Sequence, residues 1–200
     1  MVQISLIFFI FILSACGNIG GINLAKYNHE NETIDEFVMC HGYNCTVQTY
    51  AWFTPKQWKS IKREFKKKSK TPEIERQKIA NVIAKMEKYS SHLIGTEEDL
   101  AKAPIFKESD YELDCIDETV NTSKFLGFLI EAGLLKHHTL GRPAYRGIGS
   151  NLMYPHNTAT IVENDTGVIY AVDSYVYENA KRPDIRLLDE WLTTRVEDSV

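Results

Sequence analysis

Apolar and polar positions change their period several times along the chain, and each change marks an element. Trp58, Ile61 and Phe65 fall three or four residues apart, on one face of a helix. Thr54-Pro55-Lys56-Gln57 opens it: Thr54 is a capping residue, Pro55 suits the first helical position, and Gln57 completes a capping box. Thr71-Pro72 repeats this chemistry, and Ile74, Ile79, Val82, Ile83 and Met86 predict a second amphipathic helix to about Tyr89. "SSHLIGTEEDLAKAP" follows as a loop. From Cys115 to about Ala132 the apolar residues Ile116, Val120, Phe125, Leu126, Phe128, Leu129 and Ile130 cover most faces, which predicts a helix buried in the middle of a domain. Asp114 is its N-cap and Gly133 its left-handed stop.

Downstream, "HHTLGRPAYRGIGSN" reads as a flexible connection. Two strand-like runs come next, "HNTATIVE" at 156–163 and "VIYAVDSY" at 168–175. "NDTG" joins them as a hairpin loop, with Gly167 placed for the left-handed conformation. "LLDEWL" resembles a short helix packing back on the domain. The pattern predicts an α+β fold, a central buried helix packed on an antiparallel sheet.

The N-terminus asks for a separate account. "MVQISLIFFIFILSA" is almost wholly apolar, too short to cross a bilayer with margin, and ends at Cys16. Leu13-Ser14-Ala15-Cys16 resembles the lipobox of bacterial lipoproteins, although no Lys or Arg precedes the apolar run. The resemblance implies a signal peptide at 1–15, acylation of Cys16, and a lipid-anchored protein of the bacterial cell envelope, periplasmic or outer-facing. Residues 16–36 are polar and weakly patterned and read as a tether, leaving 37–200 as one domain. An apolar share of 44% and a charged share of 25% are ordinary for a globular domain. A net charge of −4 makes no case for nucleic acid. Residues 56–70 nevertheless hold eight Lys/Arg against Glu64 alone, a local charge of +7, which reads either as a solvated helix face or as a membrane-surface element.

Of the four cysteines, acylation of Cys16 leaves three in an oxidising compartment, an odd number. Cys40 and Cys45 flank the short glycine-containing loop "HGYN", and a disulfide closing it is sterically reasonable. Pairing of Cys115 with one of them, or zinc held by Cys40, His41 and Cys45, are the rival readings; the zinc site lacks an obvious fourth ligand.

Cys115 then stands unpaired in the first turn of the central helix, where the helix dipole favours thiolate and Asp114, Asp117 and Glu118 oppose it. A histidine partner would favour the charged form. If Asn164 to Gly167 form the hairpin loop, Glu163 faces Val168, Asp173 lies opposite Thr158, and His156 is two residues along on the same face. That diagonal of about 7–8 Å is within reach of a carboxylate and an imidazole. A three-residue loop without a bulge would turn Asp173 to the other face. His137 and His138 are poor rivals, because they follow the far end of the helix, about 27 Å from its start. Gln48, Tyr50, Trp52 and Phe53 are possible cleft-lining residues.

A cysteine opening a buried helix, a histidine opening a strand and an aspartate ending the adjacent antiparallel strand resemble the transglutaminase-like branch of the papain-type cysteine enzymes. The likeness covers roughly residues 110–176. It implies Cys115 as nucleophile, His156 as general base and then acid, and Asp173 as orienting group. "DCID" lacks the aromatic residue that follows the nucleophile in papains, and "HNTATI" lacks the tryptophan common after the transglutaminase histidine. The implied chemistry is acyl transfer on a peptide or protein amide, hydrolysis rather than transamidation, since nothing marks an acceptor-amine site. No metal or organic cofactor is implied. The expectation from another class is a non-catalytic envelope lipoprotein that binds a protein or peptidoglycan partner.

Overall fold

The computed structural model describes residues 21–103, 109–147 and 155–194. The signal-peptide and lipobox residues, Cys16 among them, lie outside the described residues. Among the described residues no helix is long and apolar enough to cross a membrane.

After a single 3-10 turn at Leu24–Lys26 comes a hairpin of β1 (Phe37–His41) and β2 (Val47–Ala51), followed by α1 (Pro55–Glu64) and α2 (Pro72–Ile94). The remainder is α3 (Cys115–Glu131), the strands β3 (His138–Leu140), β4 (Ala144–Arg146), β5 (His156–Glu163), β6 (Ile169–Asp173) and β7 (Asp184–Leu187), and α4 (Leu188–Thr193). The architecture is mixed α and β with antiparallel sheets, as expected. β3, β5, β6 and β7 are hydrogen-bonded in that order, and β4 pairs with the N-terminal half of β5 while β3 pairs with its C-terminal half.

The caps follow the sequence closely. Thr54 and Gln57 form the capping box of α1, and Asp114 and Asp117 form one at α3. Gly133 takes a left-handed φ of 65° just past α3. α2 runs five residues beyond Tyr89 to a left-handed cap at Gly95, so Ser90 to Ile94 are helical rather than loop. The stretch expected to be a flexible connection supplies β3 and β4; Gly141 between them lies so close to Thr160 that a β-carbon there would meet its Oγ1 at 2.1 Å.

α3 lies between the β1–β2 hairpin and the larger sheet. Nearly every side chain from Asp117 to Leu129 is buried, because neighbours cover all its faces. Phe125, Leu126 and Leu129 meet Ile79, Val82, Ile83 and Met86 of α2 and Ala159, Ile161 and Val172 of the sheet in one core. Phe37, Phe53, Phe125 and Phe128 close it with ring centroids 5.0–6.2 Å apart. Several buried polar side chains of α3 are matched, although Ser123 Oγ is buried without a partner among the described residues. Asn121 accepts from Cys40 N (2.9 Å) and donates to Cys40 O (2.8 Å), so a side chain serves as partner for strand β1.

Residues 21–36, expected to be a tether, pack on the domain. Ile22, Leu24 and Tyr27 lie against Cys40, Cys45 and Val120, and Ile34 joins the main core. Glu32 accepts from Lys124 Nζ at 2.5 Å and from Val38 N at 2.7 Å. Burying a lysine requires such a partner, and Glu32 supplies it.

Candidate active site

The loop at the tip of the β1–β2 hairpin shapes one wall of the site. Cys40 and Cys45 are joined, with Cα atoms 4.6 Å apart. Gly42, Tyr43, Asn44 and Cys45 have φ of 76°, 65°, 56° and 55°, a run of left-handed residues that L side chains disfavour. This turns successive N–H groups toward the start of α3. Asp117 accepts from Cys45 N (2.7 Å) and Tyr43 N (3.0 Å), and Asp114 accepts from Asn44 N (2.9 Å). The loop is thereby clamped onto the helical turn that carries Cys115. His41 is occupied elsewhere, bonded to Asp110 O and Thr49 Oγ1, so it does not join the two sulfurs as the zinc reading requires.

Cys115 opens α3 and is the free cysteine among the described residues. Burial pushes its thiol up to about 12, and Asp114 and Asp173 add to the rise. The main-chain N–H and side chain of Asn157 act the other way, favouring thiolate. The helix N-terminus is therefore outweighed, and burial favours thiol over thiolate.

His156 opens β5 and Asp173 closes β6. The β5–β6 register pairs Ala159 with Val172 and Val162 with Ile169, the register that a four-residue loop dictates. Gly167 N returns to Glu163 O and Gly167 has φ 72°. Asp173 thus reaches His156 along the diagonal, and His156 Nε2 meets Asp173 Oδ2 at 2.7 Å with both side chains almost fully buried. The other ring nitrogen, Nδ1, is buried without a hydrogen-bond partner among the described residues.

Three residues complete the pair, and sequence patterning missed their part in it. Trp191 Nε1 donates to the same Asp173 Oδ2 at 2.7 Å, and its ring lies 5.4 Å from the imidazole. Arg146 sits 4.2 Å over the Trp191 ring and donates to the carbonyls of Trp191 and Thr194, holding α4 in place. Tyr175 covers the imidazole from another side at 5.1 Å. Burial alone would raise the Asp173 carboxyl, but His156, the Trp191 N–H and Arg146 together hold it below the usual carboxylate range. A lone tryptophan in "LLDEWL" signals packing; its bond to an aspartate eighteen residues away has no local signature.

The structure brings His156 and Asp173 together and sets Cys115 beside Asn157, the residue after His156. His137 and His138 are remote in function: His138 is buried against Glu75 and Arg76, and His137 bonds to Ser69 O. Of the proposed cleft-liners, Phe53 belongs to the core, Tyr50 and Trp52 are exposed, and Gln48 donates to Cys45 Sγ at 3.4 Å.

Chemically, the arrangement offers a thiol, an imidazole with one nitrogen fixed and one spare, and a carboxylate that fixes it. Asp114 takes the N–H groups of Ile116 and Asp117, and among the described residues no acceptor takes that of Cys115. That N–H is available to an oxyanion. Comparison with protein-family models finds no match, and searches of curated proteins and of solved structures likewise find none.

Proposed function

We propose that this chain is a thiol-dependent acyl-transfer enzyme of transglutaminase-like type, acting on amide bonds of a peptide or protein. The observation that carries this is His156 Nδ1: a buried imidazole nitrogen without a partner among the described residues, on a ring whose Nε2 is locked to a buried carboxylate. Unpartnered buried nitrogens are costly, and catalytic centres are where such costs are met. Cys115 is the nucleophile, His156 the base and then the acid, and Asp173 the group that fixes the imidazole tautomer.

Because the thiol is held neutral, deprotonation and attack occur together. As Sγ bonds to the substrate carbonyl carbon, its proton passes to His156 Nδ1, and the carbonyl oxygen becomes an oxyanion that accepts a hydrogen bond from Cys115 N–H. Collapse breaks the C–N bond, and Nδ1 returns the proton to the leaving amine, giving a thioester. Water then attacks the thioester, losing a proton to Nδ1, and the carboxylic acid departs as Sγ regains that proton. Asp173 stays ionised throughout and stabilises the imidazolium that forms twice in the cycle. Hydrolysis is favoured over transamidation, since nothing marks a site for an acceptor amine.

A binding role is the second reading, and the neutral, half-buried thiol is what favours it. The two separate on labelling by a panel of peptidyl vinyl sulfones followed by intact-mass analysis. An enzyme takes one label per chain, lost in Cys115→Ala and slowed in His156→Ala. A binding module stays unlabelled, or labels at equal rates with and without His156.

A further inference from the structure

A groove of about 950 Å³ runs along α1, far in the sequence from Cys115, His156 and Asp173. Its cationic lining is Lys56, Lys59, Lys62 and Arg63 of α1, with Lys66 just beyond the helix; Lys56, Lys59 and Lys62 recur every three residues along one side. From Lys56 to Arg63, at 1.5 Å per residue, the row is about 10 Å long. Ser60, Gln57 and Tyr89 bring hydroxyl and amide groups to the lining, and among the described residues no carboxylate lines the groove. All five cations are exposed, and among the described residues none has a carboxylate within ion-pair distance. Lys85 from α2 takes Glu64, the one acid of α1, at 2.6 Å and so removes it as a neutralising partner.

Charge is segregated to match. Residues 56–70 carry +7 in a chain of net −4, so the rest of the molecule carries −11. Such a distribution orients the molecule toward a polyanion and lets the acidic remainder turn away from it. A solvated helix would intersperse acids with its lysines and gain i,i+4 pairs; here Glu64 is the single acid, and it is taken by another helix.

We propose that this groove is a binding site for phosphate groups presented in a row, as on an anionic lipid headgroup layer or a soluble polyphosphate ester. Lysine ammoniums suit phosphate as point charges, Arg63 can engage it through two donors, and the intervening hydroxyls donate to the remaining oxygens. It stands apart from acyl transfer and survives if Cys115 proves inert.

The test uses the full chain with Cys16→Ser, against the same chain carrying K56Q, K59Q, K62Q and R63Q. Equal melting temperatures establish that exposed charges alone have changed. Sedimentation with phosphatidylglycerol-containing vesicles is divided by sedimentation with pure phosphatidylcholine vesicles, which cancels any contribution of the apolar N-terminus. The ratio is expected to be well above one, to fall about 100-fold in the quadruple variant, and to fall with added salt. Sodium tripolyphosphate binding by the parent chain, lost in the variant, without a phosphatidylglycerol preference, assigns the same groove to a soluble phosphate ester. A ratio near one with no tripolyphosphate binding, or retention of either by the quadruple variant, overturns the proposal.

Discussion

Two buried histidine–carboxylate pairs flank strand β5, one at each end, and they are built differently. At its C-terminal end, His138 stands opposite Glu163 in the β3–β5 ladder. His138 Nε2 accepts from Arg76 at 3.2 Å, and Nδ1 donates to Glu75 Oε1 at 3.1 Å. Glu75 also accepts the N–H groups of Lys136, His137 and His138, and Arg76 continues to Glu163 at 2.9 Å. Every polar group there has a partner, and the cluster joins α2 to the sheet. At the N-terminal end His156 is equally buried and equally tied to an acid, but Nδ1 is left over. Burial and a carboxylate partner therefore do not by themselves mark a working histidine. What separates the two is the nitrogen without a partner among the described residues, on the residue preceding Asn157, which contacts Cys115.

Breaking each pair in turn should give opposite outcomes. The largest effect is expected in chemistry at the N-terminal end: Cys115→Ala should abolish vinyl sulfone labelling, and His156→Ala should slow it by about a thousandfold. His138→Ala should leave the labelling rate within about threefold of the parent, yet lower stability by about 3 kcal/mol in urea unfolding, because it strands Glu75 and Arg76. If His138→Ala slowed labelling as much as His156→Ala, the distinction between the two clusters would fail.

Asp173→Asn should slow labelling by about a hundredfold, since an amide can accept from Nε2 but cannot balance an imidazolium. Trp191→Phe keeps the ring against His156 and deletes one donor to Asp173, so a loss of about tenfold is expected. Trp191 acts through Asp173 and is a positioning residue.

Removing the disulfide as the Cys40→Ser, Cys45→Ser pair should cost about 2 kcal/mol, the loop-entropy value for so short a ring. A further slowing of labelling would be read as release of the loop from the first turn of α3, because Asp114 and Asp117 are its anchors.

The remaining effect is a slope of stability in pH, with no change expected in labelling from the groups that carry it. Burial raises Glu87 to about 7 and Asp99 to about 8, so both bind protons in the folded state that the unfolded chain has already released. Their contribution is complete below about pH 4 and is lost as pH rises through 7 to 8. The urea midpoint should fall between pH 5 and pH 8, and Glu87→Gln with Asp99→Asn should flatten that fall. Asp173, held below its ordinary value, acts in the opposite sense: its stabilisation is present above the ordinary carboxylate range and disappears only as pH drops below it.

What the sequence made legible was set by chemistry with a short reach. Caps at Thr54, Thr71 and Asp114 could be read because a cap needs only four residues. The His156–Asp173 diagonal could be read because a four-residue loop sets the register of everything beyond it. β1 escaped, since Phe37 to His41 are all buried and show no alternation. β3, β4 and β7 are three or four residues long, too short to display a period. Ile22, Leu24, Tyr27 and Ile34 are irregularly spaced among polar neighbours, and only the tertiary surface they cover explains them. The raised thiol of Cys115 also depends on tertiary burial, which first-turn position alone could not convey.

The most direct measurement is the pH dependence of Cys115 alkylation by iodoacetamide, in the parent chain and in His156→Ala. If Nδ1 takes the thiol proton during attack, the parent should react near neutral pH with a rate governed by the imidazole, while His156→Ala reacts only as hydroxide rises toward pH 10. Superimposable profiles, both climbing only in alkali, would show a sulfur that no base serves and would contradict the catalytic account.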